Sequence, residues 1–193
     1  MYLFGAGGHA KVIIEILQSR GIPVDGLFDS NPDIKQIWQY PVTAYSPALS
    51  SPEIIISIGK NSTRKTISEQ LPGRFGMALH PRANISVTAM IAEGTVVMAG
   101  ATINADVLIG RHCIINTNAS VDHDCVLEDF VHISPNVALC GNVRVGEGAH
   151  VGAGAVVIPG ITIGKWAVIG AGAVVTKDIP DHSVAVGNPA RKR

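Results

Sequence analysis

From Ile85 to Val175 an isoleucine, valine or leucine stands at every sixth residue, sixteen times in succession and without a break. An α-helix repeats every 3.6 residues and a strand every two, so neither calls for a period of six. The period is that of a left-handed parallel β-helix, in which three hexads fold into three flat faces and close one eighteen-residue triangular coil. Two residues before most of these aliphatic positions the side chain is small, as at Ala89, Ala101, Cys113, Ala119, Cys125, Ala149, Ala155, Ala167 and Ala173. A narrow prism has tight corners where a large side chain would overpack; Ile161 is the clearest exception. The repeat therefore assigns each residue of the C-terminal half an inward or an outward position.

The N-terminal half follows different rules. Short apolar runs alternate with helical spacing, the pattern of an α/β unit with a parallel sheet. Tyr2–Phe4 and Val24–Phe28 read as strands, Ala10 to Arg20 as a helix, and Glu53–Ile58 as a strand. Ser62 reads as the cap of a helix through Leu71, and a last strand falls near Phe75–Leu79. The predicted organisation is a Rossmann-like half domain over residues 1–79 and a left-handed β-helix with a tail over 80–193. The register is lost after Thr176, at Lys177-Asp178-Ile179-Pro180. The N-terminal domain is expected to cover one end of the prism, and self-association its flanks. A triangular prism suits a homotrimer.

Composition narrows the function classes. Fifteen basic residues balance fifteen acidic ones and aromatics make up 5%, which gives no electrostatic basis for binding nucleic acid. No apolar run approaches membrane-spanning length, so no membrane insertion is expected, and the short run at Tyr2–Phe4 meets Gly5 too soon for a signal peptide. Of the three cysteines, Cys113 and Cys125 fall in the inward column as packing residues, and no CxxC is present. These features point to a cytoplasmic protein.

Candidate chemistry lies in both halves. Gly5-Ala6-Gly7-Gly8-His9-Ala10 matches G-x-G-x-x-[GA] between a strand and a helix. Its amides either cradle a phosphate or only form a tight turn. Asp29, ending the second strand, stands where an acid meets a ribose hydroxyl, and a half-fold suits a single nucleotide diphosphate. In the prism, His123 points outward between Asp122 and Asp124, either as a solvated surface group or as a base charged by its neighbours. Gly141 lies eighteen residues on, one coil above it, where a bare amide can serve as an oxyanion donor. His132 and His150, also eighteen apart, stack on one side. His112, His123, His132 and His150 lack close ligand spacing, so no metal is expected.

The combination of GAGGHAKV from residue 5, DS at 29–30, IGKNSTRK at 58–65, HP at 80–81, the hexads, NTNASVDHDCVLEDFVHISP at 116–135 and the GNPA tail resembles the sugar acyltransferases of the PglD and NeuD type over essentially the whole chain. The resemblance implies a trimer with active sites between neighbouring prisms. It also implies acetyl transfer from acetyl-CoA to the 4-amino group of a nucleotide-linked 4-amino-4,6-dideoxy sugar, or to a sialic acid-type hydroxyl in the other branch. It makes His123 the general base, supported by Asp124 where N-acetylating relatives commonly have Glu, and Gly141 the amide donor to the acetyl oxygen. His132 would contact the thioester end of the co-substrate; Ala153, Pro159, Ala171 and the basic end after Pro189 would lie along its arm. Asn116 would meet the sugar, while Gly7, Gly8, His9, Asp29, Ser30, Lys60, Asn61 and Arg64 would hold the nucleotide and its phosphates. A trimeric, non-catalytic nucleotide-binding scaffold is the competing expectation.

Overall fold

The computed structural model describes residues 1–46 and 53–193. The first element is a six-stranded sheet ordered β3-β4-β2-β1-β5-β6, where β1 is Tyr2–Phe4, β2 Gly26–Phe28, β3 Gln36–Ile37, β4 Tyr40–Thr43, β5 Glu53–Ile56 and β6 Arg74–Phe75. The strands β1, β2, β4, β5 and β6 run parallel, and β3 pairs antiparallel with β4 as an edge hairpin. Helix α1, Gly8–Ser19, buries Ala10, Ile13, Ile14, Ile16 and Leu17. It begins inside the glycine-rich loop, with Gly7 at its cap position, two residues earlier than the apolar spacing indicates. Helix α2 is Asn61–Gln70; its cap position is Lys60 rather than Ser62, and no side chain caps it.

The second half is the left-handed parallel β-helix that the hexads predict. Every hexad contributes a two-residue strand, its first residue turned outward and its second, the repeated aliphatic, inward. The first face runs from Ala78–Leu79 through Ile114–Ile115 and His132–Ile133 to Val184–Val186. The second runs from Asn84–Ile85 to Val174–Val175, the third from Met90–Ile91 to Thr162–Ile163. The interior is continuous and apolar: inward residues such as Ile103, Val121, Leu139 and Val157, and Ala119, Cys125, Ala155 and Ala173, are buried. The Cys113 thiol is pushed up to about 12 by burial, which leaves it an inert packing group. Corners turn through a left-handed residue, among them Asp106, Asn118, Asp124, Asn136 and Asn142; Asn and Asp tolerate that conformation better than most side chains.

Three details depart from the reading by period. The run near Phe75–Leu79 is two strands, of which Ala78–Leu79 already belongs to the prism. Register is not lost after Thr176 but slips by two residues: Ile179 bridges Ile163 and Ala185 pairs with Ile169, offsets of sixteen instead of eighteen. Arg191–Lys192 then folds back antiparallel on Val184–Val186. Finally, the N-terminal domain covers a face of the prism rather than an end, because Ala10, Ile13 and Leu17 share one core with outward-facing Ala78, Val96 and Ile114.

Candidate active site

The edge between the second and third faces carries His123. Its corner residue Asp124 is left-handed, φ 60°, and this turns the short carboxylate back onto the ring, Oδ2 to Nδ1 2.7 Å. An acceptor at Nδ1 holds the ring proton there and leaves Nε2 as the basic nitrogen. Asp122 Oδ1 accepts the His123 main-chain N–H at 2.8 Å and also the Asn104 Nδ2–H at 2.7 Å from the coil below. The hydrogen bond that the ring donates to Asp124, followed by the charge of Asp122, raises the His123 pKa. The Asn104 and His123 donors hold Asp122 below its ordinary range. His123 remains exposed to an incoming group, its side chain 60% accessible.

Gly141 sits against this ring. A Cβ built there would fall 2.6 Å from His123 Cε1 and 2.7 Å from Nε2, so the absence of a side chain is what makes room for the imidazole. Other corners at this position spend their amide locally: Arg111 N–H on Asp129 (2.7 Å) and Lys165 N–H on Asp181 (2.8 Å). Among the described residues nothing accepts the Gly141 N–H. A basic nitrogen and an unspent amide donor thus lie side by side; below them His123 closes a 340 Å³ cleft also walled by Asn84, Ser86, Asn104 and Asp122.

A second group of candidates lies on the first face. His132 and His150 stack on successive coils, centroids 4.7 Å apart and planes 4° from parallel. Asn116 Nδ2 approaches His132 Nε2 at 3.3 Å, and Ser134 Oγ meets His150 Nε2 at 2.8 Å. Outward from the prism here means inward to the N-terminal domain. Burial, with His150 beside it, lowers the His132 pKa to about 3, and burial with Arg64 nearby lowers that of His9 to about 4. His9 Nε2 and His132 Nδ1 are buried without a partner among the described residues.

The glycine-rich loop divides its labour. Gly5, φ +110°, passes within contact of Ile58 and Ser57, where a Cβ would clash, whereas nothing lies within 4 Å of a Cβ on Gly7 or Gly8. Those two open positions at the start of α1 can receive an anion. Asp29 has one oxygen on the Ala6 N–H (2.6 Å) and the other on the Asn31 N–H (2.8 Å), so it braces the loop. Ser30 and Lys60 are exposed at the same sheet ends. A 360 Å³ crevice over Gly7 and Gly8 is also lined by Lys11, Gln36 and Trp38, which reading by motif missed. Lys11, three residues after Gly8 on the helix, carried a signal; Trp38, at the hairpin turn, carried none.

Two sequence assignments are corrected. Arg64 is 1% exposed, and its guanidinium donates to the carbonyls of His112 (2.8 Å), Ile58, Gly59 and Phe130 and to Asn61 Oδ1. Asn61 Nδ2 in turn donates to Gly148 O and Ala149 O. Both residues join the domains, with no donor left over for a phosphate. A cavity of 690 Å³ lies between α2 and the edge where the third face meets the first, where Lys65–Glu147 and Arg111–Asp129 pair its charges. It is an ionic seam away from the His123 edge.

The co-substrate residues fall on two edges. Pro159 continues the His123–Gly141 column, whereas Ala153 and Ala171 are exposed on the edge between the first and second faces, two and three coils above Asn116. Among the described residues no three His, Cys, Asp or Glu side chains converge as a metal site, and no helix is long and apolar enough to cross a membrane.

Against known proteins, the PglD N-terminal domain model matches residues 1–71, and the bacterial transferase hexapeptide (six repeats) model matches 124–159 and 144–177. The chain is 44% identical over 108 residues to UDP-N-acetylbacillosamine N-acetyltransferase of Bacillus subtilis (strain 168), a match spanning 50% of this chain and 50% of that relative. PerB from Caulobacter crescentus, solved in complex with CoA and GDP-perosamine, superposes with a TM-score of 0.94 at 41% identity, covering 100% of this chain and 96% of that one. The acetyltransferase domain of PglB from Neisseria gonorrhoeae FA1090, in complex with acetyl coenzyme A, gives 0.90 at 36% identity, covering 100% and 98%.

Proposed function

The chain belongs to the family of sugar acetyltransferases that join a PglD-type N-terminal domain to a hexapeptide β-helix, and on that premise we propose that it moves the acetyl group of acetyl-CoA to the 4-amino group of a nucleotide-linked 4-amino-4,6-dideoxy sugar. The observation that carries this reading is the free Gly141 amide set against a histidine whose other nitrogen is held by Asp124. An amine at neutral pH is mostly protonated, so it first sheds one proton to solvent. The neutral amine attacks the thioester carbon as His123 Nε2 takes a second proton. Asp124 and Asp122 stabilise the imidazolium formed. The Gly141 N–H receives the charge that develops on the carbonyl oxygen; losing one such donor typically costs about 3 kcal/mol of barrier. The carbon–sulfur bond then breaks, and the proton held on His123 leaves with the thiolate as the free thiol.

The opened Gly7 and Gly8, with Lys11 close by, support a nucleotide diphosphate in the N-terminal crevice, its sugar extending past His9 and Asn116. Within one chain, however, that crevice and His132 are on the first face, while His123 is on the opposite edge of the triangle. A complete site therefore calls for two subunits, which supports a closed homotrimer. The second face bears mostly small or β-branched outward residues, Thr102, Ser120, Ala138 and Val156 among them, and these allow close approach. Three unpaired cysteines and an acetyl-CoA co-substrate support a cytoplasmic place of work.

Thiol release from acetyl-CoA, measured against UDP-, GDP- and dTDP-linked 4-amino-4,6-dideoxy sugars, tests the reading. At least one sugar should turn over, and His123→Ala should lose roughly 10²–10⁴-fold in kcat with the trimer intact. Because the neutral ring is the active form, kcat/KM should climb with pH through the raised His123 pKa and go on climbing until the substrate amine is also neutral. Turnover only with hydroxyl acceptors would move the protein to the O-acetylating branch. No turnover with any acceptor would leave a scaffold, and unaffected turnover in His123→Ala would remove His123 from the role of base.

A further inference from the structure

Two acids flank His123, and of these Asp124 alone bonds its ring. The other acid is held as firmly. Asp122 Oδ1 lies 2.8 Å from the His123 main-chain nitrogen and 2.7 Å from Nδ2 of Asn104, eighteen residues earlier and one coil below. The chain of contacts runs Asn104, Asp122, His123 main chain, and then His123 ring to Asp124.

We propose that Asn104 and Asp122 are positioning residues for the general base: Asn104 locks the Asp122 carboxylate from the coil below, and Asp122 fixes the corner from which the imidazole is aimed at the Gly141 amide. A corner is where such a device is needed. The His123 side chain is 60% accessible and no neighbouring side chain buries it, so the ring is held by hydrogen bonds rather than by packing. The Asp122 charge also helps to keep the proton that His123 takes. The ionisable groups around the ring are Asp122 and Asp124 on its own corner, Asp106 on the coil below and Cys140 on the coil above. Of these, Asp122 and Asp124 are the two that raise its proton affinity.

The role rests on the acetyl-transfer reading for its kinetics but not for its geometry, so the test has two arms. In the first, the His123 ring is titrated by NMR in the full-length protein. Asp122→Asn should lower its midpoint relative to wild type, and this arm reads out even from a protein with no turnover. In the second, Asn104→Leu should lower kcat by about tenfold and change either KM by less than that, since the ring is misaimed while only one wall of the cleft is altered. Losses from Asn104→Leu and Asp122→Asn should not add, because the two residues act through one contact chain. Should Asn104→Leu fail to fold, Asn104→Ala carries the same test. An unmoved midpoint in Asp122→Asn, additive losses, or an Asn104 variant with higher KM and intact kcat would overturn the proposal.

Discussion

At the scale of single residues, the site depends on what is omitted as much as on what is present. Gly141 is glycine because of the ring below it: any Cβ would press on His123 Cε1 and Nε2 at 2.6 and 2.7 Å. Its backbone is not in the left-handed region, so alanine can adopt the same dihedrals. Gly141→Ala should therefore fold and melt nearly as wild type while pushing the imidazole away from the amide. Single-turnover acetyl transfer should slow by roughly 10²-fold, the order seen when an oxyanion donor is lost. A wild-type rate would show that catalysis does not depend on the seating of the His123 ring against Gly141. Asp124 shows a related economy. The left-handed corner already favours a short polar side chain, and the same shortness brings its carboxylate to 2.7 Å from Nδ1.

At the scale of elements, the joint between the domains is polar at one end and apolar at the other. Helix α1 packs Ala10, Ile13 and Leu17 on the lower coils of the first face, while α2 is fastened higher up through Arg64. Burial lowers the Arg64 pKa to about 10, so it stays charged at neutral pH and relies on the carbonyls around it. Arg64→Met should cost about 3–5 kcal/mol, because buried carbonyls lose their donors. Urea unfolding measures this, and a loss below about 1 kcal/mol would mean that water takes the donors' place. This joint was hidden in the sequence for a physical reason. A polar run after a strand reads alike whether its side chains aim at a phosphate or at another domain's carbonyls, and no periodicity in that half separates the two. The prism was legible because one coil is a fixed count of residues, which by itself places Gly141 over His123 and His150 over His132. The same count failed at Lys177–Asp178, where Ile179 follows Val175 by four positions instead of six and the pairing resumes two residues short.

At the scale of the whole molecule, the two halves of the proposed chemistry face different ways. His123 and Gly141 lie on one edge, and the glycine-rich crevice and His132 on the face across from it. In a three-fold ring each edge meets a neighbour's face, which predicts complementation between defective chains. His123→Ala and His132→Ala, each with little activity alone, should recover turnover when co-expressed, because every mixed trimer contains one interface with both parts intact. Acetyl transfer by purified mixed trimers measures it, and no recovery would place the whole site within a single chain. The stacking of coils has a further consequence for how such a catalyst can change. Neighbouring coils sit one strand spacing apart, about 4.8 Å, and the backbone ladder enforces that pitch. The distance between base and amide donor can therefore be altered only in whole threads of the screw. Finer adjustment is left to side-chain length alone, an acid one methylene longer or shorter at position 124, or a hydrogen in place of a methyl at position 141.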